Sequence, residues 1–107
     1  MNTVEILKGA KALLETKGWT QGGFGRDASG VVVGLYNLSD ANCFCGVGAA
    51  IVSAQTYSIP YAKAWEALSR AVGYNFPVFN DAPGRTKEEV LAVFDKAITA
   101  EEGRADA

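Results

Sequence analysis

The segment CFCGVGAAIV, residues 43–52, combines bulky apolar side chains with small ones and carries no charge. Ser39 and Asp40 precede it, and either can cap a helix that begins at about residue 41 and ends at about residue 56. A helix that is apolar on most sides is buried, and small residues let its neighbours approach closely. The pattern therefore predicts a central helix on which the rest of the fold packs.

Apolar residues that recur at helical spacing predict three further helices, at residues 3–17, 60–72 and 87–100. Gly18 follows the first of these as a C-terminal glycine, and Pro60 opens the helix after the central one. Thr86 and Glu89 have the spacing of a capping box at the start of the last helix. Residues 101–107 are polar and small, so we expect them to fray.

A β-hairpin is predicted after the first helix. Residues 19–24 and 31–36 flank the turn-forming sequence RDASG, residues 26–30. Glycines at positions 22, 23 and 25 weaken the first strand, so we expect that strand to be short or bulged.

Together these elements predict an α+β fold, a compact single domain over residues 1–107 with about four helices and a short two-stranded β-hairpin. Residues 74–79 would form an extended apolar connector before the last helix. Hydrophobic residues make up 49% of the 107 residues, which is enough for one core. The residues expected in that core are Leu7, Leu14, Val33, Phe44, Val47, Ile51, Trp65, Leu68, Leu91, Phe94 and Ile98.

Composition excludes several classes of function. The formal net charge is −2 and the ten basic residues are scattered, so we expect neither nucleic acid nor an anionic membrane as a partner. No secretory signal and no bilayer-spanning apolar run is recognisable, and two cysteines are a poor disulfide framework. We therefore expect a cytoplasmic protein with reduced cysteines.

Histidine is absent from the sequence. A single subunit therefore cannot build a Ser-His-Asp or Cys-His catalytic arrangement. It also cannot build the common zinc sites that contain histidine, and two cysteines are too few for an all-thiolate site. We expect no metal and no cofactor, and the sequence favours a protein that is not an enzyme.

The polar loop NDAPGRT, residues 80–86, allows two interpretations. Pro and Gly at its centre favour a turn, in which Asp81 bonds to the backbone or pairs with Arg85. Alternatively, Asn80, Asp81 and Arg85 line a site for a ligand or partner near a helix N-terminus, which favours anions. Arg85 would then be a bidentate clamp for a carboxylate or phosphate.

Four other residues are candidates for binding. Gln21 and Arg26 could join the polar loop in one pocket, and Trp19 is either a core residue or an exposed anchor for a partner. Cys43 lies at the start of the predicted central helix, where a thiol pKa falls, although packing in the core is the alternative. The sequence GFGRDA, residues 23–28, matches a dinucleotide fingerprint only by chance, because β-branched residues follow it where that site needs a helix.

Three segments together resemble an uncharacterised family of small bacterial and phage proteins, a domain of unknown function. They are GWTQG at residues 18–22, DANCFC at residues 40–45 with Gly48-Ala49 after it, and NDAPGRT at residues 80–86 with Glu89-Val90 after it. The similarity spans about residues 4–99. It implies a single compact domain encoded by bacteria or their phages, and it implies no activity.

Three functions from different classes follow. The first is a non-enzymatic binding or interaction module, aimed at a host protein or at a second copy in a homodimer, through an exposed aromatic patch drawn from Trp19, Tyr57, Tyr61, Trp65 and Tyr74. The second is a pocket for a small anionic metabolite or nucleotide, formed by Asn80, Asp81, Arg85, Gln21 and Arg26. The third is an enzyme with Cys43 as nucleophile and Asp81 as an orienting group or base. The first is favoured.

Overall fold

A computed structural model describes residues 3–57 and 60–105 of the chain. Five α-helices, one 3₁₀ helix and two short strands occur in these ranges. In chain order they are α1 (Thr3–Lys17), β1 (Gly25–Arg26), the 3₁₀ helix (Leu35–Asp40), β2 (Cys43–Phe44), α2 (Gly46–Tyr57), α3 (Ala62–Val72), α4 (Phe76–Asp81) and α5 (Lys87–Ala105). The predicted α+β class and the single compact domain are confirmed. The helices outnumber the predicted four because α4 and the 3₁₀ helix were not foreseen.

Helix α2 lies at the centre of the fold, as predicted. Residues 44–51 are all buried, and α2 packs against α1, α3 and α4. Its one buried polar side chain is satisfied, because the Ser53 hydroxyl donates a hydrogen bond of 2.8 Å to the carbonyl oxygen of Ile6 in α1. The helix begins at Gly46 and not near residue 41, because Cys43 and Phe44 pair in an extended conformation with residues of the glycine-rich segment.

The predicted hairpin between residues 19–24 and 31–36 is wrong. Strand β1 pairs with β2 in an antiparallel register, and the expected partner segment contributes only an isolated bridge from Val32 to Arg26. The turn itself is confirmed, since Asp27 Oδ1 accepts hydrogen bonds from the backbone amides of Ser29 and Val31. Beyond it the chain turns into the 3₁₀ helix, which buries Leu38. The segment that was expected to form the second strand therefore leads into a 3₁₀ helix that buries Leu38.

Two helix boundaries and one connecting segment also differ from the predictions. Helix α3 begins at Ala62 and not at Pro60, and residues 76–81 form helix α4 where an extended connector was expected. The hydroxyl of Ser69 accepts a hydrogen bond of 3.1 Å from the Phe76 amide, which satisfies one N–H at the start of α4. Residues 101–105 are helical and not frayed, because Glu101 pairs with Arg70 and Arg104. Residues 106–107 lie outside the described residues.

The core matches most of its predicted members. Eight of the eleven are buried, namely Leu7, Leu14, Phe44, Val47, Ile51, Leu68, Phe94 and Ile98. The other three, Val33, Trp65 and Leu91, are half-buried and pack against this core. Phe76 is a buried residue that was not predicted, and its ring meets Phe94 edge to face with centroids 6.0 Å apart. In the described ranges no helix is both long and apolar enough to cross a membrane.

The capping box of α5 is confirmed and carries a prediction. The Glu89 amide donates to the Thr86 hydroxyl at 3.1 Å, and the Thr86 amide donates to the Glu89 carboxylate at 2.9 Å. Replacing Thr86 by alanine removes the first of these bonds. We therefore expect urea denaturation to show a loss of about 1 kcal/mol in the free energy of unfolding. The Thr86→Ser variant keeps the hydroxyl and should lose much less; equal losses in both variants would contradict this assignment.

The same box makes stability depend on pH. The bond from the Thr86 amide, more than the nearby Arg85, holds the pKa of Glu89 below its ordinary value of 4.5. A lowered pKa in the folded state means that the stabilisation is complete above pH 4.5 and is lost as the pH falls through the lowered pKa. Glu89→Gln should thus be less stable than wild type at neutral pH and converge with it in acid.

Candidate functional site

The side chain of Asn80 joins three segments that are far apart in sequence, around residues 19–20, 46 and 80–81. This residue lies in α4 and is only 1% exposed. Its Oδ1 accepts hydrogen bonds from the indole Nε1–H of Trp19 at 2.8 Å and from the amide of Gly46, the first residue of α2, at 3.0 Å. Its Nδ2 donates to the carbonyl oxygen of Thr20 at 3.3 Å and to Asp81 Oδ1 at 2.9 Å. Asn80 therefore holds the glycine-rich segment, the N-terminus of α2 and α4 together.

Gln21 strengthens the same junction from the opposite side. Its Nε2 donates to the carbonyl oxygens of Asn80 and Ala82, both at 2.9 Å. These carbonyls lie at the end of α4, where helical partners run out. The amide of Gly22 donates to Asp81 Oδ1 at 3.2 Å. We call this set of bonds between residues 19–22, Gly46 and residues 80–82 the Asn80 network.

The two candidate arginines bond to the protein itself. Arg26 donates through Nε to the Thr20 hydroxyl, through Nη2 to the Gln21 carbonyl and through Nη1 to the Gly30 carbonyl, each at 3.0 Å. It thereby fixes the loop that follows the Asn80 network.

Arg85 lies in the loop between α4 and α5. Its Nε donates to the Phe79 carbonyl at 2.9 Å, its guanidinium carbon lies 3.6 Å from the centroid of the Phe79 ring, and its Nη1 is 3.4 Å from the Glu89 carboxylate. These contacts give Arg85 a role in joining α4 to α5. The guanidinium of Arg85 is therefore bonded to α4 and α5 and not to Gln21 or Arg26.

The cysteine nearest the N-terminus of α2 is Cys45 and not the predicted candidate Cys43. Cys43, the predicted candidate, is half-buried in β2, whereas Cys45 precedes the first residue of α2 and is buried. Its Sγ accepts a hydrogen bond of 3.2 Å from the Gly48 amide, so the sulfur caps the helix. Burial raises the pKa of Cys45 above its ordinary value of 9.0. The group is therefore a protonated thiol at neutral pH, whereas a nucleophile must be a thiolate.

An apolar cleft of about 400 Å³ opens beside the Asn80 network. Residues 22–24 and 32–35 form its two outer walls, Cys45 and Val47 of α2 form its floor, and Pro77, Asn80 and Asp81 of α4 close one end. Hydrophobic side chains stand exposed in the outer walls: Phe24 by 37%, Val32 by 47% and Leu35 by 50%. Of the seven predicted site residues, only Asn80 and Asp81 line this cleft, which is called the 24/35 cleft below.

The 24/35 cleft is where sequence reasoning missed the important residues. Val32 and Leu35 were assigned to a β-strand and Phe24 to its partner, so none was considered for binding. The cluster of glycines at positions 22, 23 and 25 was the available signal. Glycines in such a segment mark places where another backbone or a ligand can approach closely. The approach is real: a Cβ on Gly48 of α2 would lie 1.9 Å from the carbonyl oxygen of Phe24.

The aromatic residues named for the predicted patch differ in exposure and in contacts. Trp19 is half-buried with its indole bonded to Asn80, and Tyr61 and Trp65 are half-buried and stacked with centroids 6.2 Å apart. Tyr74 is exposed and packs its ring near Phe79. The side chain of Tyr57 lies outside the described residues. In the parts of the chain that the structure describes, no group of three or more Cys, Asp or Glu residues is placed to hold a metal ion.

Comparison with known protein families gives a match over most of the chain. The model of DUF6197, a family of unknown function, matches residues 1–100. No curated protein and no solved structure matches the chain. The comparisons assign no activity to the chain, so the function is inferred from the geometry of the site.

Proposed function

The chain belongs to DUF6197, a family of unknown function, and from its geometry we propose that it is a non-enzymatic binding module. The 24/35 cleft takes an apolar side chain from a protein partner. The observation that carries this proposal is the cleft itself, which is apolar, open and flanked by exposed hydrophobic residues. Exposed apolar surface around a concavity is typical of interaction sites.

The size of the cleft suits one or two side chains. Burial of a leucine or phenylalanine side chain contributes about 2–3 kcal/mol, which is enough for weak binding by one anchor and for specific binding when neighbouring contacts add to it. The floor is rigid, because the Asn80 network ties α2, α4 and residues 19–22 together. A preformed site avoids the cost of ordering a loop upon binding.

The other two functions find less support. A pocket for an anion needs the guanidinium groups of Arg26 and Arg85, and both donate to protein oxygens outside the 24/35 cleft. A cysteine enzyme with Cys43 as nucleophile needs that thiol beside Asp81, but Cys43 lies in β2 and does not line the cleft that Asp81 lines. The cysteine that does line the cleft, Cys45, is a buried helix cap with a raised pKa. Neither arrangement offers an observation that favours it over binding.

The proposal also covers the cellular location of the protein and the origin of its partner. On the resemblance of its three segments to small bacterial and phage proteins, we place the chain in the bacterial cytoplasm and take a host protein as its partner. Self-association as a homodimer through the same cleft is the alternative partner, and the experiments below distinguish the two.

Titration with amino-acid probes tests the proposal. N-acetyl amides of alanine, leucine and phenylalanine are added in turn to ¹⁵N-labelled protein, and amide chemical shifts are followed. We expect the amides of Gly22, Gly23 and Gly34, which line the cleft, to shift more with leucine and phenylalanine than with alanine. The amides of Gly73 and Gly103, which lie elsewhere, should not move.

A pair of adjacent valines supplies the matched control. Val32 lines the cleft and Val31 does not, although both are exposed. Val32→Ser should weaken phenylalanine binding about threefold or more through the loss of apolar contact, and Val31→Ser should leave it unchanged. The Trp19 indole resonance reports that the Asn80 network is intact in both variants. Absence of shifts at the cleft glycines with every probe would refute the proposal.

A further inference from the structure

Asp81 places a fixed negative charge at one end of the 24/35 cleft. Its Oδ1 accepts hydrogen bonds from the Gly22 amide at 3.2 Å and from Asn80 Nδ2 at 2.9 Å. These bonds orient the carboxylate, and Asn80 in turn is buried and fully bonded. Within residues 3–57 and 60–105, no hydrogen bond or ion pair reaches the second oxygen, Oδ2.

No ion pair found within residues 3–57 and 60–105 includes this carboxylate. Asp81 is the one charged residue among the described residues that line the cleft. The two arginines that the sequence offered as binding candidates bond to other groups, Arg26 to Thr20, Gln21 and Gly30, and Arg85 to Phe79 and Glu89. The cleft therefore presents apolar walls and one oriented acceptor with a full negative charge.

We propose, building on the binding function above, that the partner segment carries a lysine or arginine next to its apolar anchor. The anchor fills the cleft between Phe24, Val32 and Leu35, and the neighbouring cation donates a hydrogen bond to Asp81 Oδ2. Charge complementarity argues for this occupant, because an oriented carboxylate beside an apolar surface favours a cationic donor and disfavours an acidic neighbour. Asp81 is thus a specificity-determining residue of the cleft.

Three blocked dipeptides that differ in one side chain test the inference. They are the N-acetyl amides of Phe-Lys, Phe-norleucine and Phe-Glu, titrated into ¹⁵N-labelled protein with the shifts of Gly22, Gly23 and Gly34 as the readout. Norleucine matches the lysine stem without its charge. We expect Phe-Lys to bind about threefold to fivefold more tightly than Phe-norleucine at low salt, Phe-Glu to bind most weakly, and the lysine preference to shrink as salt is added.

The Asp81→Asn variant isolates the carboxylate. Asparagine keeps Oδ1 as the acceptor for Gly22 and Asn80, so the fold is retained, and the Trp19 indole resonance verifies it. We expect Phe-Lys and Phe-norleucine to bind this variant equally. Asp95→Asn on α5 changes the net charge by the same amount away from the cleft, and it should keep the lysine preference.

Each other outcome has a definite meaning. Equal binding of Phe-Lys and Phe-norleucine to wild type, with shifts at the cleft glycines, overturns this inference and leaves the binding function standing. A lysine preference that persists in Asp81→Asn overturns it as well. Absence of shifts with all three peptides refutes the binding function too. Shifts of these glycines on dilution without peptide would identify a second copy of the chain as the occupant, and that would also overturn the basic partner segment.

Discussion

The Gly48→Ala variant is expected to lose about 3 kcal/mol of folding free energy, which is a large part of the roughly 5–15 kcal/mol that stabilises a typical domain. A Cβ at this position would lie 1.9 Å from the carbonyl oxygen and 2.8 Å from the carbonyl carbon of Phe24. Both are backbone atoms, so no side-chain rotation relieves the overlap. Helix α2 and the segment of Phe24 must separate, which strains the 3.0 Å hydrogen bond from the Cys45 amide to the Phe24 carbonyl.

Gly103→Ala is the matched control for this variant. Gly103 is also in an α-helix, but no heavy atom lies within 4 Å of the position of its Cβ. Helix propensity alone then decides the result, and alanine should leave stability unchanged or raise it by up to about 1 kcal/mol. Urea denaturation followed by circular dichroism measures both variants. A Gly48→Ala protein as stable as wild type would show that α2 and Phe24 are not in close backbone contact.

The second large effect is expected for Asn80→Ala, which should lower the free energy of unfolding by about 3 kcal/mol. The substitution leaves the Trp19 indole N–H and the Gly46 amide without their acceptor, and the Thr20 carbonyl without its donor. A buried polar group that loses its partner costs about 1–3 kcal/mol, so the sum is large even if water reaches one of the groups.

Asn75→Ala provides the comparison, because it is the same substitution at the exposed start of the same helix. Asn75 precedes α4 and makes no side-chain capping hydrogen bond. Its replacement should change stability by less than about 0.5 kcal/mol. The chemical shift of the Trp19 indole proton gives an independent readout, since only Asn80→Ala removes its acceptor at 2.8 Å. Similar losses in the two variants would contradict the central role of Asn80.

The fold was predictable from sequence where local rules decide the structure. Helical spacing of apolar residues located α1, α2, α3 and α5, and the Thr86–Glu89 capping box placed the start of α5 at Lys87. The hairpin failed because strand pairing is a long-range choice. Residues Gly25–Arg26 pair with Cys43–Phe44 and not with the β-branched segment that follows the turn. Val31 and Val32 of that segment stay exposed, and the chain continues into a 3₁₀ helix that buries Leu38.

The candidate site was predictable only in part, for the same physical reason. Asn80, Asp81, Gln21 and Trp19 were recognised as unusual residues, and the structure brings these four together. Their partners lie far away in sequence, and no local pattern specifies that an amide side chain caps a helix 34 residues earlier. The 24/35 cleft depends on backbone approach between Gly48 and Phe24, which sequence periodicity does not report.

The long sequence separation of the Asn80 network has a consequence for folding. The bonds from Trp19 and Gln21 to Asn80 span 61 and 59 residues, so they close a loop that includes β1, β2, α2 and α3. Closing a loop of this length costs conformational entropy. Packing of the enclosed helices offsets that cost, so the bonds to Asn80 are expected to form after the helices pack. We therefore expect the cleft to form in the last step of folding, so that the partner segment proposed above would bind only the fully folded chain.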